Sequence, residues 1–139
     1  MTGVLFVCTA NACRSQLAEA LARRLFPPGV RVASAGTRPT ALDGRAARVL
    51  GELGIDASGQ RAKSLDEIAW EGIDRVITLC DDAAERCPVP ADRLREHWPL
   101  PDPAHASGTA EEVLASFRAV RDDLFERLAK LAASMQAER

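Results

Sequence analysis

Short apolar runs alternate with stretches of helical period along this chain. Gly3-Val4-Leu5-Phe6-Val7-Cys8 contains no polar break, the pattern of a strand covered on both faces. From Ser15 to Phe26 the positions Leu17, Ala18, Leu21, Ala22 and Leu25 recur at helical spacing, and Pro27-Pro28-Gly29 ends the helix they predict. Val30–Ala35 predicts a second strand closing at Gly36, and Leu42–Leu53 a helix with Gly54 just beyond it. Leu65–Trp70 predicts a short helix, Asp74–Leu79 a third strand and Arg93–Trp98 a fourth. The stripe Val113, Leu114, Phe117, Val120, Leu124, Leu128 predicts a long closing helix over Ala110–Lys130. Strands alternating with helices imply an α/β domain: a parallel sheet, helices on both faces and right-handed crossovers. Such sheets bind ligands at the carboxyl ends of their strands, where the strand order reverses. The loop after the first strand, opened by Cys8, is the favoured place.

Composition narrows the class. The 139 residues fit one domain spanning 1–139, 47% of them hydrophobic and 27% charged. A formal net charge of -2 predicts neither a nucleic-acid face nor a membrane-seeking surface. No apolar run has the length of a membrane span. The stretch Met1 to Cys8 lacks a basic leader and a cleavage site, so it reads as a strand and not as a signal peptide, and a cytoplasmic location is expected. In a reducing compartment the four cysteines, Cys8, Cys13, Cys80 and Cys87, are expected to be reactive or simple core and not structural bridges.

The string Cys8-Thr9-Ala10-Asn11-Ala12-Cys13-Arg14-Ser15 leaves a buried strand and enters a helix. A helix start offers unpaired N–H groups and the positive end of the macrodipole. A tight loop feeding it wraps further N–H groups around a tetrahedral anion. Small residues at 9, 10 and 12 let the backbone come close, and Asn11 tolerates a left-handed conformation. Arg14 supplies a charged fork for two anion oxygens. Cys8 sits under the anion as a thiolate nucleophile, with Ser15 offering it a hydrogen bond. Cys13, by contrast, reads as filler, and no His or third Cys completes a metal site with Cys8.

This loop, following Leu-Phe-Val, resembles that of the low-molecular-weight protein tyrosine phosphatases and the thioredoxin-coupled arsenate reductases of the same family. The likeness continues through Gln16-Leu17-Ala18-Glu19, Ser34-Ala35-Gly36-Thr37, Val76-Ile77-Thr78-Leu79-Cys80, Glu96-His97-Trp98 and Asp102-Pro103. It implies a flavodoxin-like sheet in the order 2-1-3-4, and no cofactor. The phosphatase branch has two tyrosines after Asp-Pro; here Ala104-His105 follow, and the chain has no Tyr at all. Leu79 to Pro88, with Cys80 and Cys87, resembles the redox segment of the reductases.

Neighbouring parallel strands lie about 4.8 Å apart, so in this order Cys8 and Cys80 are expected within disulfide reach after modest movement. Cys87 lies seven residues beyond Cys80. A helical connection would separate them by about 10.5 Å, whereas a disulfide needs α-carbons roughly 4.4–6.8 Å apart. A helical turn in the reduced protein that unwinds on oxidation is therefore expected.

The resemblance implies arsenate as the oxyanion, bound as a phosphate mimic, and Asp102 as general acid. It implies thioredoxin as reductant, with a low-molecular-weight thiol as the alternative. Two other readings stay open: a phosphatase whose extra cysteines guard against oxidation, and a non-catalytic redox sensor. Some relatives hold potassium behind the loop with residues matching Asn11, Glu19 and Ser34 and a further acidic residue. Lys63 stands at that last position, and two readings are open: its ammonium replaces the ion and pairs with Glu19, or it is a solvated lysine before Ser64. Ala10 stands where relatives have Gly and is expected to be accommodated with an ordinary φ. His97 is expected in the packing or rim of the fourth strand, and His105 in a loop over the site.

Overall fold

A computed structural model describes residues 3–137. Met1 and Thr2, part of the expected leaderless start, lie outside the described residues. Strand β1 (Gly3–Cys8) is buried at every position. Its Val4, Leu5, Phe6 and Val7 are wholly excluded from solvent, each side chain contributing about 1.5–3 kcal/mol to the core. β2 (Arg31–Gly36) pairs with one edge of β1 and β3 (Arg75–Thr78) with the other, all parallel, and β4 (Leu94–His97) lies outside β3. The order is thus β2-β1-β3-β4, the flavodoxin-like arrangement expected. The order reverses between β2 and β3, at the carboxyl end of β1.

Helix α1 (Arg14–Leu25) buries Ser15 through Ala22 without interruption, because it packs on β1, on β2 and on α4 (Ala110–Ala137). α4 runs beyond the expected Lys130, since Leu131, Ala132 and Met135 continue its buried stripe. α2 (Gly44–Gly51) starts at Asp43, whose carboxylate accepts from Arg45 N and caps it. The helix expected at Leu65–Trp70 is only a single 3-10 turn, Leu65–Glu67, closed by a Ser64/Glu67 capping box. None of its residues is buried, so no packed face prolongs it. α3 (Asp81–Arg86) is the helical turn expected between Cys80 and Cys87. A further 3-10 turn, Pro103–His105, follows β4. No helix among the described residues is long and apolar enough to cross a membrane.

Candidate functional site

The loop from Cys8 to Arg14 closes around its own backbone amides because a neighbouring strap takes its carbonyls. Residues 37–43, leaving β2, donate Thr37 N to Cys8 O (3.2 Å), Arg38 N to Thr9 O (2.8 Å), Thr40 N to Ala10 O (3.0 Å) and Asp43 N to Ala12 O (3.0 Å). The side chain of Gln16 donates to the remaining carbonyl, Asn11 O, at 3.0 Å. In a trans peptide the N–H points opposite the carbonyl of the preceding residue. Five outward carbonyls therefore leave the amides of residues 9 to 13 facing the interior of the loop. Helix α1 adds to this positive surface: its N-cap Cys13 makes no side-chain capping bond, and its first turn carries no acid.

Close approach of strap and loop depends on one glycine. A Cβ on Gly36 would stand 2.6 Å from Thr9 O and 3.0 Å from Asn11 N, both backbone atoms. Asn11 is the one non-glycine residue with a positive φ (49°) among the described residues. Ala10 therefore needs no such conformation, and alanine fits there without strain.

Asn11 is wholly buried and fully bonded. Its Nδ2 donates to Ser15 Oγ (2.7 Å) and Ser34 Oγ (3.0 Å), while its Oδ1 accepts from Lys63 N (2.8 Å) and Gln16 Nε2 (3.0 Å). Ser15 Oγ, which already accepts from Asn11, lies 2.9 Å from Cys8 Sγ and can turn its own proton there. That is the hydrogen bond a thiolate accepts. On the other side Ser34 Oγ donates to Glu19 Oε1 at 2.6 Å. Lys63 Nζ lies 3.4 Å from both Glu19 Oε1 and Ser34 Oγ, and Arg23 Nη1 reaches Glu19 Oε2 at 2.9 Å. The carboxylate thus already has two cations, the Lys63 ammonium and the Arg23 guanidinium. These residues do not fit an additional monovalent ion.

Above Cys8 a cavity of about 240 Å³ is lined by Cys8, Ala12, Arg14, Asp43, Asp102 and His105, among others, ample room for a tetrahedral oxyanion. Arg14 donates from Nη1 to Leu100 O (3.1 Å), and its Nη2 lies 3.6 Å from Asp102 Oδ2. Asp102 caps the 3-10 turn through Oδ1, which accepts from Ala104 N at 3.0 Å, leaving Oδ2 toward Arg14 and, at 3.5 Å, His105 Nδ1. Cys13 has its Sγ 3.8 Å from Asp43 Oδ2. Burial and the nearby Asp43, Asp102 and Cys8 push its thiol up to about 12, so it stays protonated. Asp43 itself is held below the usual carboxylate range, chiefly by its bond to Arg45.

Cys80 caps α3, its Sγ accepting from Ala83 N at 3.4 Å, and the same sulfur lies 3.4 Å from Thr9 Oγ1. Register explains the meeting: Val7 pairs with Thr78, so two residues further on each strand Thr9 faces Cys80. Thr9 Oγ1 also donates to Asp82 Oδ2 at 3.1 Å. Cys87 caps the other end of α3 and is buried, which pushes its thiol up. His97 bridges the sheet to α3, with Nδ1 2.8 Å from Thr78 Oγ1 and Nε2 2.9 Å from Asp81 Oδ1. His105 lies on the Pro103–His105 turn and lines the cavity, as expected of a residue over the site. All four cysteines are free thiols.

Two parts of the site escape the sequence reading. The strap with Thr40, Ala41 and Asp43 carries no chemical motif; its one local signal is an aspartate before the helix start at Gly44. The Leu100 carbonyl that steadies Arg14 is a backbone atom, which no residue type announces.

Comparison with known proteins follows the same lines. Residues 3–139 match the family model for the low molecular weight phosphotyrosine protein phosphatases. An arsenate reductase of Bacillus subtilis (strain 168) is 42% identical over 130 residues, covering 93% of this chain and 94% of the relative. A solved structure described as an arsenate reductase in the phosphate binding state superposes with a TM-score of 0.78 at 33% identity, over 97% of this chain and 99% of that one. A thioredoxin-dependent arsenate reductase of Corynebacterium glutamicum gives a TM-score of 0.75 at 28% identity, over 100% of this chain and 64% of that one. The fold, the anion loop and the near full-length matches agree: this chain belongs to the low molecular weight phosphotyrosine protein phosphatase family.

Proposed function

We propose that this protein reduces arsenate to arsenite through Cys8, Cys80 and Cys87 and is returned to its dithiol form by thioredoxin. The observation that carries the proposal is the contact of Cys80 Sγ with Thr9 Oγ1, 3.4 Å apart. It brings a second thiol to the rim of the anion cradle that holds Cys8. The arsenate reductase relatives and the thioredoxin-dependent neighbour support the substrate and the reductant.

The cradle amides and Arg14 hold the oxyanion, and the Cys8 thiolate attacks arsenic. An arsenate hydroxyl leaves as water, taking its second proton from Asp102. A bound anion competes with Asp102 for the Arg14 guanidinium, whose Nη2 lies 3.6 Å from Asp102 Oδ2. Cys80 then attacks Cys8 Sγ. The sulfur–arsenic bond breaks, its electron pair stays on arsenic, and arsenic(V) departs as arsenic(III). The two thiols have lost the two electrons that arsenic gained, as a Cys8–Cys80 disulfide. Cys87 attacks Cys80, frees Cys8 and leaves a Cys80–Cys87 disulfide at the helix α3 for thioredoxin to reduce. Closing that bridge requires the six-residue helix between them to unwind. Lys63 takes the place of a potassium ion behind the cradle, so the enzyme works without potassium.

Phosphate esters meet the same cradle, and Cys8, Arg14 and Asp102 are sufficient for their hydrolysis; weak activity on small aryl phosphates accompanies the reductase. The decisive assay couples arsenate to NADPH consumption through thioredoxin and its reductase. Wild type turns over, Cys8→Ser loses reduction and hydrolysis together, and Cys80→Ser and Cys87→Ser lose repeated reduction yet keep aryl phosphate hydrolysis. Steady arsenite production by the Cys80→Ser variant would overturn the relay. A phosphatase with protective cysteines would show no arsenate-dependent consumption, and a redox sensor would turn over neither substrate.

A further inference from the structure

Helix α3 is held at its carboxyl end by a side chain from the next strand. Arg95 of β4 donates from Nη2 to Ala84 O, and from Nη1 to Cys87 O at 3.3 Å. A short helix leaves its last carbonyls without partners, and a guanidinium there satisfies them and meets the negative end of the helix. The other charges of this segment are engaged elsewhere. Arg86 Nε pairs with Asp82 Oδ1 at 2.6 Å, Asp82 Oδ2 accepts from Thr9 at 3.1 Å, and His97 meets Asp81 at the opposite end. Glu85 is exposed. Arg95 is therefore the cation set against Cys87. Burial opposes ionisation of the Cys87 thiol, and the charge of Arg95 favours it.

Resting on the thiol relay proposed above, we infer that Arg95 is the positioning residue of the resolving step, passing its hydrogen bonds from the α3 carbonyls to the Cys87 thiolate as the helix opens. In the closed helix both donors are taken by Ala84 O and Cys87 O. Unwinding the segment frees them, and they remain beside residue 87, because β4 is fixed to β3 by backbone pairing from Arg75↔Leu94 to Thr78↔His97. The Cys87 thiol gives its proton to solvent, and its thiolate attacks Cys80 Sγ. The Cys80–Cys87 bond forms, the Cys8–Cys80 bond breaks, and the electron pair leaves on Cys8 Sγ. No net oxidation occurs in this step. The same arginine thus holds the segment shut before arsenate reacts and supports its nucleophile afterwards.

The test compares wild type, Arg95→Gln and Arg95→Lys, all checked for native circular dichroism. Arsenate without thioredoxin measures the first burst of arsenite, and rapid alkylation with disulfide mapping shows where the bridge stands. Arg95→Gln is expected to keep a burst of one arsenite per enzyme and to accumulate the Cys8–Cys80 bridge. With thioredoxin its turnover falls about tenfold, the scale of one charge-assisted hydrogen bond, and Arg95→Lys recovers most of it. Unchanged turnover of Arg95→Gln, a lost burst in that variant, or no rescue by lysine would each overturn the role of Arg95 while leaving the relay in place. No burst in wild type would overturn the relay itself, and the inference with it.

Discussion

The two ends of neighbouring strands β1 and β3 carry two loops of opposite character. After β1, residues 8 to 13 are fixed from behind: five carbonyls are engaged, Asn11 is fully bonded and buried, and the strap 37–43 crosses at a distance only Gly36 permits. After β3, residues 80 to 87 form a six-residue helix held at its margins by Thr9, Arg95 and His97. Within that helix only Ala83 is buried. A cradle that stabilises charge must not reorganise during the reaction. On the relay proposed above, a segment whose cysteine α-carbons stand about 10.5 Å apart along a helix must. The molecule spends its buried polar bonds on the first and keeps the second short, shallow and tied mostly by side chains.

That contrast can be broken or sharpened in four ways. Gly36→Ala has the largest expected effect, because the new Cβ would press on Thr9 O and Asn11 N. It should cost about 1–3 kcal/mol of stability and depress reduction and phosphate hydrolysis together, measured by denaturant unfolding and both assays. A variant that lost only reduction would show the cradle to be less rigid than described. Next, amide exchange over 80–88 should speed up on the order of tenfold or more in the Cys80–Cys87 oxidised protein, while residues 8–15 stay protected. Equal protection in both redox states would deny the unwinding.

Lys63→Met leaves buried Glu19 with Arg23 as its remaining cation. A loss of about 1 kcal/mol is expected, with a rate that now rises when sodium is exchanged for potassium. Wild type should show no such rise; a clear one would contradict the ammonium's role. The last test concerns Cys13. Its folded thiol titrates near 12, above the ordinary 9.0, so the unfolded chain loses this proton first as pH rises. The contribution is fully present below about pH 9 and is lost between there and pH 12. Thermal midpoints taken from pH 7 to 11 should therefore fall more steeply for wild type than for Cys13→Ala; parallel curves would show that the thiol is not kept neutral by folding.

Legibility differed between these regions for physical reasons. The cradle is contiguous in sequence, so Cys8, Asn11, Arg14 and Ser15 could be read from residue types at fixed spacing between an apolar strand and an amphipathic helix. Helix α3 was legible as a distance argument between Cys80 and Cys87. The strap was not, since its task is done by backbone N–H groups at Thr37, Arg38, Thr40 and Asp43, which every residue but proline possesses. The stretch at Leu65 misled for a related reason: its apolar residues suggested a helix, but nothing packs on it deeply enough to extend the turn beyond Glu67.

By itself the amino-acid order determined the strand and helix succession, and with it the parallel sheet, the anion loop and the candidate thiols, because these depend on periodicity and local spacing. Only the tertiary structure decided which groups face one another across long separations: Thr9 with Cys80, Lys63 with Glu19, Arg95 with Cys87, Gly36 with the loop it clasps. Those meetings follow from strand register and the packing of distant segments, where a shift of one residue would exchange every partner.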